Sequence, residues 1–297
     1  MKNFLHAYGK VLPLLLTMLA GGLLPQFHTF AFLIQYLLMV LLFFAFLDVE
    51  FKPSSFPKRL VGVLIANVVI AFLGFWLLSL VNTSLALAAF VTAIAPTAIT
   101  SPVIIGFIKG RVEYMLAAVL LTNVAVALVV PFALPYVLGA ATRVSVWQVL
   151  QPVLVTMFTP LILSRLVLLL PQGVRAVIIR GKRISFPTWL LCLFIISAKA
   201  VDFLRKSPSG SAHVLWEIAL VSLGVCVVNF AVGALIGGRE YWQESSQALG
   251  QKNNTFSIWI ALTFINPLVA MGPTFYVLYH NLYNSFQIYL FEKRNRP

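Results

Sequence analysis

The sequence consists largely of apolar runs of about 18 residues or more, each long enough to cross a bilayer as a helix. Only 10% of the residues are charged, against about 25% in soluble domains. Ten runs are candidate spans, at roughly 10–27, 30–48, 60–81, 84–108, 113–138, 147–170, 186–204, 213–237, 245–266 and 271–291. No stretch remains for a separate soluble domain. The sequence therefore predicts an all-α polytopic membrane protein with ten transmembrane helices.

The net charge of +13 comes mainly from lysines and arginines in the segments that share a side with the N-terminus. The opposite side holds only Arg143, Lys199, Arg205 and Lys206. Such an asymmetry orients the basic segments toward the cytoplasm, so we expect a multi-pass plasma (inner) membrane protein with both termini cytoplasmic. Because the basic residues are scattered over many short loops, the partner is expected to be membrane lipid, and nucleic acid is excluded.

The ten segments divide at the loop 139–146 into two halves of five, which gives residues 1–139 and 140–297. Since each half has an odd number of segments, the second half starts on the opposite side of the membrane from the first. Inverted repeats of this kind are typical of secondary transporters. We therefore predict two inverted five-helix repeats.

Polar stretches interrupt the fourth segment of each half, "APTAITSP" at 95–102 and "GQKNN" at 250–254. Pro96 and Pro102 lack an N–H and disfavour helical geometry in the preceding residue. Freed backbone groups cannot face lipid, so they must be buried in protein or line a polar cavity. We expect the fourth and ninth helices to be discontinuous and to cross around a polar site. The alternative is that the prolines only kink a packed helix and the amides cap a loop.

Several stretches resemble the bile acid:sodium symporter family. They are "APTAITSPVIIGFIKGRVEYMLAAVLLTNVAVALVVP" at 95–131, "ALGQKNNTFSIWIALTFINPLVAMGPTFYVLYHNLYNSF" at 248–286 and "IANVVIAFLGFWLL" at 65–78. The resemblance implies a core of helices 3–5 and 8–10 that moves against a panel of helices 1, 2, 6 and 7. It also implies two sodium sites beside the crossed helices and an organic anion as cargo.

The ion ligands of that family fall on a changed set of residues in this chain. A glutamate position holds Ala248 and a glutamine position holds Lys252. The ion-coupling positions implied by the resemblance are Asn67, Ser101, Thr122, Asn123, Lys252 and Asn253. Sodium prefers several hard oxygens, and two like charges about 4 Å apart repel by roughly 4 kcal/mol at an effective dielectric near 20. Sodium binding is therefore doubtful, a proton is a possible coupling ion, and no other cofactor is expected.

Lys252 is the residue that most needs an explanation, since a lysine at the centre of a membrane helix costs about 2.5–3.5 kcal/mol and usually marks function. We interpret its ammonium as the replacement for the second sodium ion. A buried lysine that gives up its proton readily could also couple transport to protons. It could instead pair with an anionic cargo directly. The remaining alternatives are a side chain that reaches water or a different register of the ninth helix.

The predicted function is secondary active transport, by alternating access, of a small organic anion or a bile-acid-like amphipathic acid. The predicted substrate-binding residues are Thr97, Thr100, Ser101, Asn253, Asn254, His280 and Asn281. For His280 and Asn281, a hydrogen-bonded pair in the core is the alternative to a transport role. The sequence has no nucleophile–base, metal-ligand or dinucleotide motif, so an enzyme is not expected. The alternative function is a non-transporting membrane sensor or partner protein on the same fold.

Overall fold

The computed structural model describes residues 11–47, 58–139, 144–206 and 211–294, and every regular element in these ranges is helical. Two 3-10 helices, Pro25–Phe32 and Gly181–Ile184, lead into the second and ninth α-helices. The α-helices are α1 Val11–Leu23, α2 Leu33–Phe46, α3 Arg59–Ser79, α4 Thr83–Ile94, α5 Ser101–Phe107, α6 Val112–Leu138, α7 Val146–Leu168, α8 Gln172–Arg180, α9 Ser185–Lys206, α10 Ser211–Gly250, α11 Asn254–Phe264 and α12 Pro267–Arg294.

Six helical runs within the described ranges are long and apolar enough to cross a membrane. They are Pro25–Phe46, Arg59–Ser79, Val112–Leu138, Val146–Leu168, Gln172–Lys206 and His213–Gly250. Three shorter apolar helices accompany them: Leu12–Leu23, Thr83–Ile94 and Asn254–Phe264. Several long apolar helices indicate a multi-pass membrane protein. Ten spans and the inverted repeat stay predictions, and the predicted cytoplasmic termini lie outside the described residues.

Helix α10 contains a sharp reversal at Gly238, which has φ 58° and ψ −154°. Glycine adopts this region without the steric cost that a Cβ would bring. On either side of the reversal, the Ser246 Oγ donates to the Phe230 carbonyl at 2.7 Å. A Cβ on Gly233 would lie only 2.4 Å from the Ser245 carbonyl oxygen. The two arms of α10 therefore run side by side, and a tight turn joins the predicted eighth and ninth segments.

The helices pack in two groups. In one group, α9 packs on α1 and α2, and α2 packs on α7. In the other, α3 packs on α4, α10 packs on α3, α4, α6 and α12, α5 packs on α6, and α11 packs on α12. The groups touch where α6 packs on α7, α9 on α12, and α11 on α2. The first group consists of α1, α2, α7 and α9. The division of the chain into a core and a panel stays a prediction.

Some predicted boundaries are wrong. The first segment, predicted to reach residue 27, ends at Leu23, because Pro25 starts a 3-10 helix that continues into α2. Helix α8 was not predicted; its residues are exposed except for half-buried Ile178, and it carries two arginines in nine residues. The tenth segment is longer than its apolar stretch, since α12 runs from Pro267 to Arg294. Apolar content marks the spans but not where helical geometry stops.

Candidate functional site

The fourth predicted segment is interrupted between α4 and α5. Ala95 leaves helical geometry, with φ −48° and ψ 139°, directly before Pro96. The chain regains helical geometry at Ser101, and Pro102 lies in the first turn of α5. An N–H in the first turn has no intrahelical acceptor, so the missing N–H of proline costs no hydrogen bond there. Residue types that disfavour a helix thus place a stretch of irregular backbone between two apolar helices.

The ninth predicted segment is interrupted between α10 and α11. Helix α10 ends at Gly250, whose carbonyl accepts a hydrogen bond of 2.6 Å from the Tyr276 hydroxyl on α12. Helix α11 begins at Asn254, and the Asn253 side chain accepts from the Phe256 N–H at its first turn. Buried side chains therefore terminate one helix and cap the next, as an apolar setting requires.

The two breaks meet and pair through their backbones. The Asn253 N–H donates to the Pro96 carbonyl at 2.8 Å, and the Ala98 N–H donates to the Gln251 carbonyl at 2.7 Å. Thr97 and Lys252 lie opposite each other between these two bonds, and the two chain segments run antiparallel. Backbone groups that have no helical hydrogen-bond partner at one break are therefore hydrogen-bonded to the backbone of the other break.

Two side chains of α6 and a backbone carbonyl of α10 hold Thr97 in this junction. The Thr122 hydroxyl accepts from the Thr97 N–H at 2.9 Å, and the Asn123 amide donates to the Thr97 carbonyl at 3.2 Å. The Thr97 hydroxyl donates to the Ala248 carbonyl at 2.6 Å. The structure thus brings together Thr97, Thr122 and Asn123, which the sequence had placed in substrate and ion-coupling roles.

Lys252 is buried at the junction, with 1% of its surface exposed. Its ammonium donates to the side-chain oxygen of Asn67 on α3. The Asn67 amide in turn donates to the Ile94 carbonyl at the end of α4, at 3.0 Å. No carboxylate of the described residues lies within ion-pair distance of the ammonium. The alternative in which the lysine reaches water is not observed.

Glu244 is the acidic residue that precedes Lys252 on the same helical arm. Its carboxylate accepts from the Arg111 N–H at 2.9 Å, at the start of α6. It is therefore engaged with a helix N-terminus and does not balance the charge of Lys252.

The other predicted substrate residues lie around the junction with one exception. Thr100 is exposed and its hydroxyl accepts from the Gln251 amide at 2.9 Å, and Ser101 is buried. The Asn254 amide lies 3.2 Å from the Nδ1 atom of His280. Asn281 donates only to the Val277 carbonyl of its own helix. The structure thus links His280 to the second break and leaves Asn281 outside the cluster.

Several buried polar atoms near the junction have no hydrogen-bond partner among the residues that the structure describes. They are Asn123 Oδ1, Gln251 Oε1, Asn253 Nδ2, Asn254 Oδ1 and Ser257 Oγ. Buried polar atoms are normally paired, so a cluster of unpaired ones indicates a place for a polar ligand, an ion or water. The junction therefore has the chemistry of a binding site.

Two cavities lie at the ends of α2. The first, of about 380 Å³, is lined by residues of α2, α9 and α11, including Gln35, Lys199 and Trp259. The second, of about 240 Å³, is lined by Ala45 at the other end of α2 and by residues of the first break, α5 and α6. Between them, Leu38 and Leu42 are fully buried. Each cavity lies where the two packing groups of helices face each other.

Sequence reasoning missed three features of this region. Tyr276 holds the end of α10, and Lys199 lines a cavity although it was assigned only to an outer segment. The Gln247 amide donates to Asn284 at 2.9 Å and to Gln287 at 2.5 Å. Polar residues three apart on an apolar helix, as at 284 and 287, are the signal that could have revealed this contact.

Comparison with known proteins and with cofactor chemistry adds no assignment. The chain matches no protein-family model, and no curated protein matches it significantly. Within the described ranges, no group of three or more histidine, cysteine, aspartate or glutamate side chains is arranged to hold a metal ion. The geometry of the junction and its cavities is therefore the basis on which function is inferred.

Proposed function

We propose that the protein is a secondary active transporter that carries a small organic anion, such as a bile-acid-like amphipathic acid, by alternating access. The observation that carries the proposal is the junction of two broken helices with Lys252 buried in it. Irregular backbone inside an apolar helical protein is tolerated where it lines a site. Paired discontinuous helices are the typical construction of transporter binding sites.

The proposed role of Lys252 is that of a built-in cation. Its ammonium donates to the Asn67 oxygen, as a bound sodium ion would accept that oxygen as a ligand. With this charge in place, the transporter does not need sodium at that position. Loss and gain of the lysine proton would then couple transport to the proton gradient. Thr100, Ser101, Asn253 and Asn254, with the N-terminus of α11, would hold the anion beside the junction.

The two cavities support the alternating-access part of the proposal. They lie at opposite ends of α2, at the boundary between the two packing groups. Motion of one group against the other would open one cavity and close its counterpart. Under the predicted topology, the cavity with Lys199 faces the outside and the cavity with Ala45 faces the cytoplasm. The predicted inverted repeat would relate the two states.

Uptake of radiolabelled organic acids into proteoliposomes tests this proposal. We expect uptake that persists without sodium and rises when the outside is made more acidic than the inside. Lys252→Gln should abolish the pH dependence, because a neutral amide binds no proton. Lys293→Gln, at an exposed lysine near the end of α12, is the matched control and should leave uptake unchanged. Strict sodium dependence with no pH effect would defeat the proposed role of Lys252.

A non-transporting sensor or partner protein is the second candidate, favoured by the absence of a carboxylate partner for Lys252 among the described residues. For such a protein, no organic acid should accumulate in proteoliposomes under any gradient. Lys252→Gln would then change thermal stability alone. The same pair of measurements therefore separates the two candidates.

A further inference from the structure

The cavity of about 380 Å³ combines one cation with an apolar wall. Its lining includes Gln35 and Tyr36 of α2, Lys199 of α9, and Trp259, Leu262 and Thr263 of α11. The volume falls within the range of about 300–1,000 Å³ that is usual for small-molecule sites. The cavity is thus large enough for a small organic molecule.

Lys199 brings a positive charge to this cavity without a counter-ion. It is half-buried, and no carboxylate of the described residues forms an ion pair with it. Asp202, one turn further along α9, already accepts from Lys206 at 2.8 Å and lies 3.7 Å from His28. An uncompensated ammonium between apolar helices selects for an anion.

The rest of the lining fits the apolar body of such an anion. Trp259 and Leu262 provide aromatic and aliphatic surface from α11, and exposed Thr263 stands at the edge. Gln35 is held in place by its hydrogen bond to Thr156 on α7, at 2.9 Å. One charge beside one apolar surface is the pattern that recognises an amphipathic monoanion, whereas a polyanion would need more cations.

The cavity also has a direct connection to the junction of the breaks. Trp259 is on α11, which begins at Asn254, and the rise over these five residues is about 8 Å. An anion in the cavity would therefore lie against the same helix whose first turn lines the junction.

We propose that this cavity is an anion-binding site, in which Lys199 binds the carboxylate or sulfonate of an amphipathic monoanion and Trp259 and Leu262 contact its apolar body. The inference rests on the proposed function, since the occupant is the cargo on its way to the junction. Lys199 is then the residue that selects charged cargo over neutral molecules of the same shape.

Equilibrium binding to the purified full-length protein in zwitterionic nanodiscs tests the site. Isothermal titration calorimetry would compare 2-naphthoate with its neutral counterpart 2-naphthamide. We expect naphthoate to bind more tightly, and Lys199→Gln to weaken naphthoate by about 10- to 100-fold while naphthamide is unaffected. Lys199→Arg keeps the charge and should retain binding. Lys293→Gln, at an exposed lysine near the end of α12 that does not line the cavity, is the matched control and should change neither ligand.

Leu262 forms part of the apolar lining of the cavity, and its contribution is measured separately. Leu262→Ala should weaken both ligands, because it removes contact area and no charge. Equal binding of naphthoate and naphthamide, or equal effects of Lys199→Gln and Lys293→Gln, would overturn the proposal. A melting temperature of Lys199→Gln close to that of the unmodified protein shows that the variant is folded. If Lys199→Gln does not fold, the affinity of Lys199→Arg for naphthoate is the test: loss of binding in this charge-preserving variant would contradict the proposal.

Binding without a gradient separates this inference from the proposed function. Binding that depends on Lys199, together with no uptake into proteoliposomes, would refute transport and leave the anion site in place. Uptake that is indifferent to Lys199→Gln would refute the site and leave transport in place.

Discussion

Lys252 and Asn67 are joined by a buried hydrogen bond that links the charge on one helix break to the end of the other. The Asn67 oxygen accepts from the Lys252 ammonium, and the Asn67 amide donates to the last carbonyl of α4 at Ile94. A single side chain of α3 thus serves both broken helices. Because the ammonium and that carbonyl are buried, neither has water as a ready substitute.

Substitution of Asn67 by alanine should destabilise the protein by about 1.5–3 kcal/mol, because it leaves a buried ammonium unpaired. Lys252→Met should lessen the need for Asn67, so the double variant Asn67→Ala with Lys252→Met should be more stable than Asn67→Ala alone. Melting temperatures in detergent for the four proteins measure the coupling. Asn281→Ala, which removes a bond within one helix, is the control. Additive effects of the two substitutions would contradict the pairing.

Gly250 lies at the end of α10 against the ring of Phe230, where an added Cβ would come within 2.3 Å of a ring carbon. Gly250→Ala should therefore displace buried Phe230 and destabilise the protein by about 1–3 kcal/mol. Gly224→Ala is the same change on the same helix at a place with nothing within 4 Å, and should be neutral or slightly stabilising. Thermal unfolding of both variants checks this. Equal stabilities of the two variants would contradict the close contact between Gly250 and the Phe230 ring.

Glu244 and Glu240 both contact Arg111, in different ways. Glu244 is 5% exposed and accepts from the Arg111 N–H, so Glu244→Ala should cost about 1–2 kcal/mol through loss of a helix N-terminal acceptor. Glu240 forms side-chain ion pairs with Arg111 at 3.3 Å and Arg59 at 3.9 Å, and its side chain is 55% exposed. Glu240→Ala should therefore cost less than about 1 kcal/mol. Chemical unfolding compares the two; the reverse order would exclude the capping role.

Cysteines introduced into the two cavities should report alternating access. Thr263→Cys and Val103→Cys place a thiol at exposed positions of the larger and the smaller cavity, and the native Cys192 and Cys226 are buried. We expect a membrane-impermeant maleimide to label the Thr263→Cys variant from outside and the Val103→Cys variant from the cytoplasmic side. Saturating 2-naphthoate should raise one labelling rate and lower the other. Labelling of both from one side, or parallel changes in rate, would contradict the proposed mechanism.

The sequence alone predicted the breaks because their cause is local. Pro96 and Pro102 disfavour helical geometry in the residues before them, and polar residues interrupt the apolar pattern at both 95–102 and 250–254. Helical class and membrane setting follow from apolar content in the same way. The contact between Asn67 and Lys252 was predicted only in part, since the resemblance placed both residues in the ion-coupling set without showing which atoms meet.

The rest depended on contacts between distant parts of the chain. Nothing local indicates that Lys199 lines a cavity with Trp259, because α9 and α11 meet only in the folded protein. The sequence predicted a gap between the eighth segment, which ends at 237, and the ninth, which begins at 245, but not that the chain reverses sharply at Gly238 within it. Asn281 was assigned to the site through its neighbour His280, yet adjacent residues on a helix point in different directions.

The link between the two breaks consists of peptide groups, two N–H donors and two carbonyl acceptors at positions 96, 98, 251 and 253. No side-chain atom takes part in these two bonds. Under the proposed function, a change of side chain at position 252 would therefore change the coupling ion while the backbone framework is kept.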